Sequence, residues 1–352
     1  MKMRFLKWSN ALMIVAVAVA AVSCKKDDNN TPTGPTQTVL QIAVANENFD
    51  VLEAAAVKAG SPVTNVLSGS SKITVFAPTD AAFVSYLNSV VPAGIANEAA
   101  AIAYINSTSF TAAAAADLLT YHVLAGSVKA AAIQTGAVTT ARASNDRAFV
   151  TKTGNNVTIN NARVATADVD ASNGVIHIID AVLTPPSGNI VATATSAANA
   201  ANFNILATAV TKAGLAPTLQ GNGPFTVFAP TDDAFLTLLR SPAFFNTPSL
   251  TEQQVLDYIN NTISATSTPL NLPTLTQVLQ YHVVPGIAYS INLTNNQVLT
   301  TAKPAAPNTL TVAISGSTVT IDGSASQPAT VTAANITTTN GVIHVINGIL
   351  LP

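Results

Sequence analysis

Apolar positions recur in two rhythms along this 352-residue chain. From Phe49-Asp50-Val51-Leu52 to Lys58-Ala59-Gly60 they return at helical spacing and stop at a glycine. Phe203-Asn204-Ile205-Leu206 to Lys212-Ala213-Gly214 repeats the pattern, so both stretches are expected to be amphipathic helices. Ile73, Val75 and Ala77 instead alternate with Thr74 and Phe76, the period of a strand, until Pro78-Thr79-Asp80 interrupts and Ala81-Ala82-Phe83-Val84 opens a helix. This phrase, TVFAPTDAAF at 74–83, comes back as TVFAPTDDAF at 226–235. Farther along, LLTYHVL at 118–124 is answered by VLQYHVV at 278–284, and NGVIHII at 173–179 by NGVIHVI at 340–346. Polar hairpins lie between them: Thr309 to Ile321 alternates on both sides of Gly316, as antiparallel strands do. Each half reads as helices followed by strands, and the chain as two copies of one α+β domain.

Composition sharpens this picture at the N-terminus. Lys2, Arg4 and Lys7 precede the apolar run ALMIVAVAVAAV, which is too short to span a membrane and has the order of a secretory signal. It ends in Ala21-Val22-Ser23-Cys24, similar to a bacterial lipobox, in which the signal is cut before the cysteine and that cysteine carries lipid. Cys24 is the sole cysteine, so a disulfide partner does not exist and lipid attachment is the expected use. Lys25-Lys26-Asp27-Asp28-Asn29 resembles the short signals that send lipoproteins of Bacteroidetes to the outer face of the outer membrane; the same letters also suit a solvated tether. The expected layout is a signal peptide over 1–23, a lipidated Cys and flexible linker over 24–37, and domains over 38–184 and 187–352. The protein is then held on the outer membrane by lipid, facing outward or, alternatively, the periplasm.

Charge excludes one function class. Charged residues make up 9% of the chain and the net charge is −2, with no basic cluster beyond the N-terminus, so no nucleic-acid partner is expected. Candidate chemistry is sparse. Thr79 or Asp80, and Thr231 or Asp232, are placed to cap the helix that follows each repeated phrase; as catalytic acids or metal ligands the aspartates lack a second acid or His at ligand spacing. All four histidines fall in repeated segments. His177 and His344 have apolar neighbours on both strand faces, so structural roles are expected for them. No catalytic residue, metal or cofactor is expected, and the chain is read as a non-enzyme.

The ordered set TVFAPTD, Tyr-His and NGVIH, present twice, resembles a tandem of fasciclin domains over nearly the whole chain beyond the signal. That resemblance implies a wedge-like β-sandwich with packed helices, used as an extracellular adhesion or interaction module. It also implies candidate binding residues. The Tyr-His motif, linked in animal members to integrin adhesion, maps to Tyr121-His122 and Tyr281-His282, which could equally be packing residues at a helix end. An Asp-Ile pair with the same link maps to Asp168-Val169, whereas the second domain has Asn335-Ile336 and lacks the acid. The expected partner is an extracellular protein or a polysaccharide, with polysaccharide capture in nutrient uptake as the alternative role; the absence of Trp after Cys24 speaks against aromatic sugar platforms.

Overall fold

The structure, a computed structural model, describes residues 34–144, 146–196, 199–267 and 270–352. The signal peptide, Cys24 and most of the linker expected from the sequence lie outside the described residues. The first domain runs α1 (Val39–Ala45), α2 (Asp50–Ala59), α3 (Ser61–Ser68), β1 (Ile73–Pro78), α4 (Asp80–Val90), α5 (Glu98–Asn106) and α6 (Ala112–Tyr121). Six strands follow: β2 (Val123–Ala125), β3 (Gly136–Thr139), β4 (Arg147–Thr153), β5 (Asn156–Ile159), β6 (Ala162–Ala171) and β7 (Gly174–Ile179). The second domain repeats the order with α7 (Ile190–Ala194), α8 (Ala200–Lys212), α9 (Ala216–Gln220), β8 (Phe225–Pro230), α10 (Asp232–Arg240), α11 (Glu252–Asn261) and α12 (Leu272–Tyr281). Its later strands are β9 (Val283–Pro285), β10 (Val298–Thr300), β11 (Thr309–Ser315), β12 (Thr318–Asp322), β13 (Ala329–Thr338) and β14 (Gly341–Ile346).

Each domain is α+β and holds one seven-stranded sheet, ordered β2-β1-β7-β6-β5-β4-β3 in the first and β9-β8-β14-β13-β12-β11-β10 in the second. Among the described residues only the pairs β1–β7 and β8–β14 are parallel. The sheet curls until its ends nearly meet: Leu124 of β2 bridges Thr140 beyond β3, and the Ala141 amide donates to Val123 O at 2.8 Å. In the second domain Ala302 donates to Val283 O at 2.6 Å. The two leaves of the sandwich are thus halves of one sheet.

Curling gives the parallel pairs β1–β7 and β8–β14 two buried faces, and the alternation in the repeated phrase sorts residues between them. Ile73, Val75 and Ala77 of β1 face the helices and join a core with Phe83, Leu87, Ile105 and Leu119. Phe76 points the other way, into the sandwich with Tyr121, Val150, Ile159 and Ile179. Its counterpart Phe228 lies with Tyr281, Val312, Ile321 and Ile346. This is why all six residues of β1 are buried, hydroxyl included.

The domains meet in part through residues that differ between the repeats. Phe149 of β4 packs with Tyr289 and Val342 of the second domain in a separate small core. Tyr121 donates to Arg147 O and Tyr281 to Thr309 O, an equivalence that sets Phe149 opposite Thr311, which is exposed. By the same logic Tyr289 stands where the first domain has Lys129, since His344 contacts Ala288 O and His177 contacts Val128 O. Arg147 donates to Asn222 O at 2.5 Å, and Thr158 Oγ1 lies 3.2 Å from Asn292 Oδ1. The connecting segment is held as well: Arg142 donates to Pro186 O, and Thr339 donates to Gly188 O.

Truncating a buried Phe typically costs about 3–5 kcal/mol. Phe149→Ala is therefore expected to loosen the junction, seen as a lower melting temperature and a larger radius of gyration in small-angle scattering. Unchanged dimensions and stability would contradict this packing.

Candidate functional site

The repeated motifs carry the residues that chemistry would need. Thr79 is the N-cap of α4, its Oγ1 accepting from the Ala82 amide at 3.3 Å, and Thr231 does the same for α10 with Ala234. Asp80 leaves its own helix. Its carboxylate accepts from the Asp50 and Val51 amides at 3.2 and 2.8 Å and so caps α2, whose own N-cap, Phe49, offers no side-chain acceptor. Asp232 repeats this with Asn204 and Ile205 at 3.0 and 2.8 Å, just after Phe203, whose backbone (φ −134°, ψ 22°) matches that of Phe49 (φ −126°, ψ 22°). Burial pushes both carboxyls above the ordinary carboxylate range, and the two amide donors pull them back.

The Tyr-His pairs sit inside the domains. Tyr121 is fully buried and its hydroxyl donates to Arg147 O at 3.0 Å while accepting from Asn160 Nδ2 at 3.1 Å. His122 ends α6 with Nδ1 donating to Leu118 O at 2.9 Å and Nε2 accepting from the Leu183 amide at 2.9 Å. Tyr281 and His282 repeat the arrangement, the latter between Val278 O and the Leu350 amide. Each imidazole thereby ties the helix end to the segment after the last strand. As candidate binding residues, Tyr121, His122, Tyr281 and His282 present no free polar atom to a partner, because burial and these bonds consume them.

Asp168 and Asn335 occupy one geometry. Each sits at an irregularity of β6 or β13 with left-handed backbone, φ 63° and 65°, a conformation that Asp and Asn tolerate better than most side chains. Asp168 Oδ1 accepts from the Ala130 amide at 2.7 Å, Asn335 Oδ1 from the Ser290 amide at 2.8 Å, and each residue's own amide points at Nδ1 of His177 or His344. The neighbouring Val169 is half-buried against the helical core. His177 and His344 donate from Nε2 to Val128 O and Ala288 O and lie over the rings of Phe76 and Phe228.

Asparagines of the NGVIH motif, not singled out from the sequence, are equally committed. Asn173 accepts from the Val39 amide and donates to Leu67 O and Gly69 O, joining α1 and α3 to β7. Asn340 does so with Ile190, Leu219 and Gly221. A side chain on Gly174 would run into Ile73 O, and one on Gly341 into Phe225 O, which fixes glycine at both places. Among the described residues no cluster of three His, Cys, Asp or Glu is arranged to hold a metal.

What the repeats leave open is the junction. A polar cleft of about 390 Å³ lies between the domains, with Thr139, Asp146 and Arg147 on one wall and Gln220, Asn222 and Thr339 on the other. These residues were missed in the sequence; the available signal was that Arg147 has Thr309 as its counterpart.

The fasciclin-domain model matches residues 47–185 and 201–352, and the chain belongs to the fasciclin family. Protein sll1483 of Synechocystis sp. is 37% identical over 179 residues, 50% of this chain and 91% of that protein. Transforming growth factor-beta-induced protein ig-h3 of Sus scrofa is 31% identical over 206 residues, 58% of this chain but only 25% of its own length. Among solved structures, a domain pair from the insect cell adhesion molecule fasciclin I aligns over 86% of this chain and 96% of its own, with a TM-score of 0.37 and 18% identity.

The buried histidines make stability depend on pH. Burial pushes His122, His282 and His344 down to about 4 from an ordinary value near 6.5, against the opposing pull of a backbone acceptor, and His177 is lowered for the same reason. A histidine lowered on folding is protonated more readily when unfolded, so its contribution is complete above pH 6.5 and is lost as pH falls toward 4. Raised Asp80 and Asp232 act in the opposite sense: their contribution is present below the ordinary 3.8 and lost as pH rises through their folded values. Between about pH 6.5 and 5 the histidines dominate, each worth up to about 1.4 kcal/mol per pH unit. Urea midpoints should fall across that window on acidification; a flat or rising profile would contradict neutral, buried rings.

Proposed function

We propose that this protein is a non-enzymatic lipoprotein of the cell surface whose two fasciclin domains mediate attachment to other cells or to extracellular matrix. The observation that carries this reading is family membership over both domains, fasciclin domains being found in adhesion and extracellular-matrix proteins. The consumption of every repeated polar side chain in scaffolding supports a binding module over a catalyst. All four histidines are buried and hydrogen-bonded, so no imidazole is available as a base. Lipidation at Cys24 would place the domains at a membrane surface. Among the described residues no helix is long and apolar enough to cross one. The net charge of −2 suits a protein or polysaccharide partner better than a polyanionic nucleic acid.

Deletion of the gene should lower attachment of cells to one another and to a coated surface several-fold. Re-expression of the intact chain should restore it, and re-expression of Cys24→Ala should not. Attachment that survives deletion would remove the adhesive role.

A further inference from the structure

We propose that the cleft between the two domains binds an uncharged, polyhydroxylated ligand, a short stretch of neutral polysaccharide. Its volume of about 390 Å³ falls in the range of small-molecule sites, which favour domain junctions. The two walls come from different domains and the site exists only where they meet. Arg147 spends one terminal nitrogen on Asn222 O and Thr339 O, and its ring partner Phe149 anchors the junction directly behind it. The equivalent residue of the second domain, Thr309, cannot build a second copy.

The ligand class follows from what the walls still have to give. Among the described residues, the side chains of Gln220, Asn222, Thr139 and Thr339 make no hydrogen bond within the protein, and Gln220 and Asn222 are exposed. Among the described residues nothing engages Arg147 Nε or Nη1, and Asp146 uses one carboxylate oxygen for Arg142 and Ser144 while the other meets no partner. Amides and threonine hydroxyls both donate and accept, as sugar hydroxyls do, so vicinal hydroxyls can satisfy them in either sense. Charge at the cleft is balanced, with Arg147 and Asp146 both lining it and Asp146 already paired to Arg142, and so favours neither a polyanion nor a polycation. No aromatic or large aliphatic side chain lines it, which removes the buried anchors that a peptide would need and leaves edge-on hydrogen bonding as the mode of recognition.

This deepens the attachment reading by naming what is gripped, and binding by the purified protein is separable from attachment of cells. Sugar binding without attachment would retain the cleft and remove the adhesive role; attachment without sugar binding would do the reverse. The test is calorimetric titration of the protein with neutral β-1,3-glucan, mannan and galactan oligosaccharides, alongside polygalacturonate and a proline-rich peptide. Saturable binding of at least one neutral oligosaccharide is expected. The double variant Gln220→Ala, Asn222→Ala should weaken it at least tenfold with an unchanged melting temperature, while Thr311→Ala leaves it unaltered. Failure of every neutral oligosaccharide to bind, tighter binding of polygalacturonate or peptide, or wild-type affinity in the double variant would overturn the proposal.

Discussion

The first backbone amides of a helix must find acceptors outside the helix, and for α2 and the body of α8 they find them on Asp80 and Asp232, residues of another element. Each carboxylate sits at the joint where the parallel strand pair ends and a helix begins. The adjoining threonine amide is bound to the end of the neighbouring strand, Thr79 to Ile179 O and Thr231 to Ile346 O. The Asp80 amide donates in turn to Asn48 O, just before α2. Helical layer and sheet are therefore tied at one point by backbone and carboxylate together. Burying the charge is costly, and two amides plus the positive end of a helix dipole offset part of that cost. Removing the carboxylate would orphan one buried and one part-buried donor in each domain, which explains why the phrase is written once per domain.

The remaining repeated polar residues extend the same logic. His122 and His282 join a helix end to the segment beyond the last strand, and Asn173 and Asn340 join the first and third helices to that strand. Asp168 and Asn335 hold a bulge through one oxygen that either side chain supplies, so the fold is indifferent to the charge that separates them. In this family member the repeated motifs are bracing. The junction is where Phe149, Tyr289 and Arg147 depart from their counterparts and where polar side chains such as Gln220 and Asn222 are left unspent.

Much of this was legible in the chain because it is local. Helical and strand periods, the Thr79 and Thr231 caps and the buried character of His177 and His344 depend on neighbours a few residues away. The path of Asp80 was not legible: capping its own helix and capping α2 need the same residue, and only tertiary placement decides between them. Phe149 and Tyr289 were hidden for a related reason. Periodicity marks the positions that face a domain's own core, while these two face another domain, and only their mismatch with Thr311 and Lys129 betrays them. The Tyr-His pairs, marked by family resemblance as candidate binding residues, turn out to spend their polar atoms inside.

The measurement that bears most directly on the carboxylate tie is native-state hydrogen exchange at the Asp50 and Val51 amides, in the unaltered chain and in Asp80→Ala. If Asp80 holds these amides, they exchange as slowly as the core strand β1 in the unaltered chain, and the substitution speeds them by orders of magnitude while the amides of α6 change little. Fast exchange typical of an open first helical turn, or rates that Asp80→Ala leaves unchanged, would contradict the account.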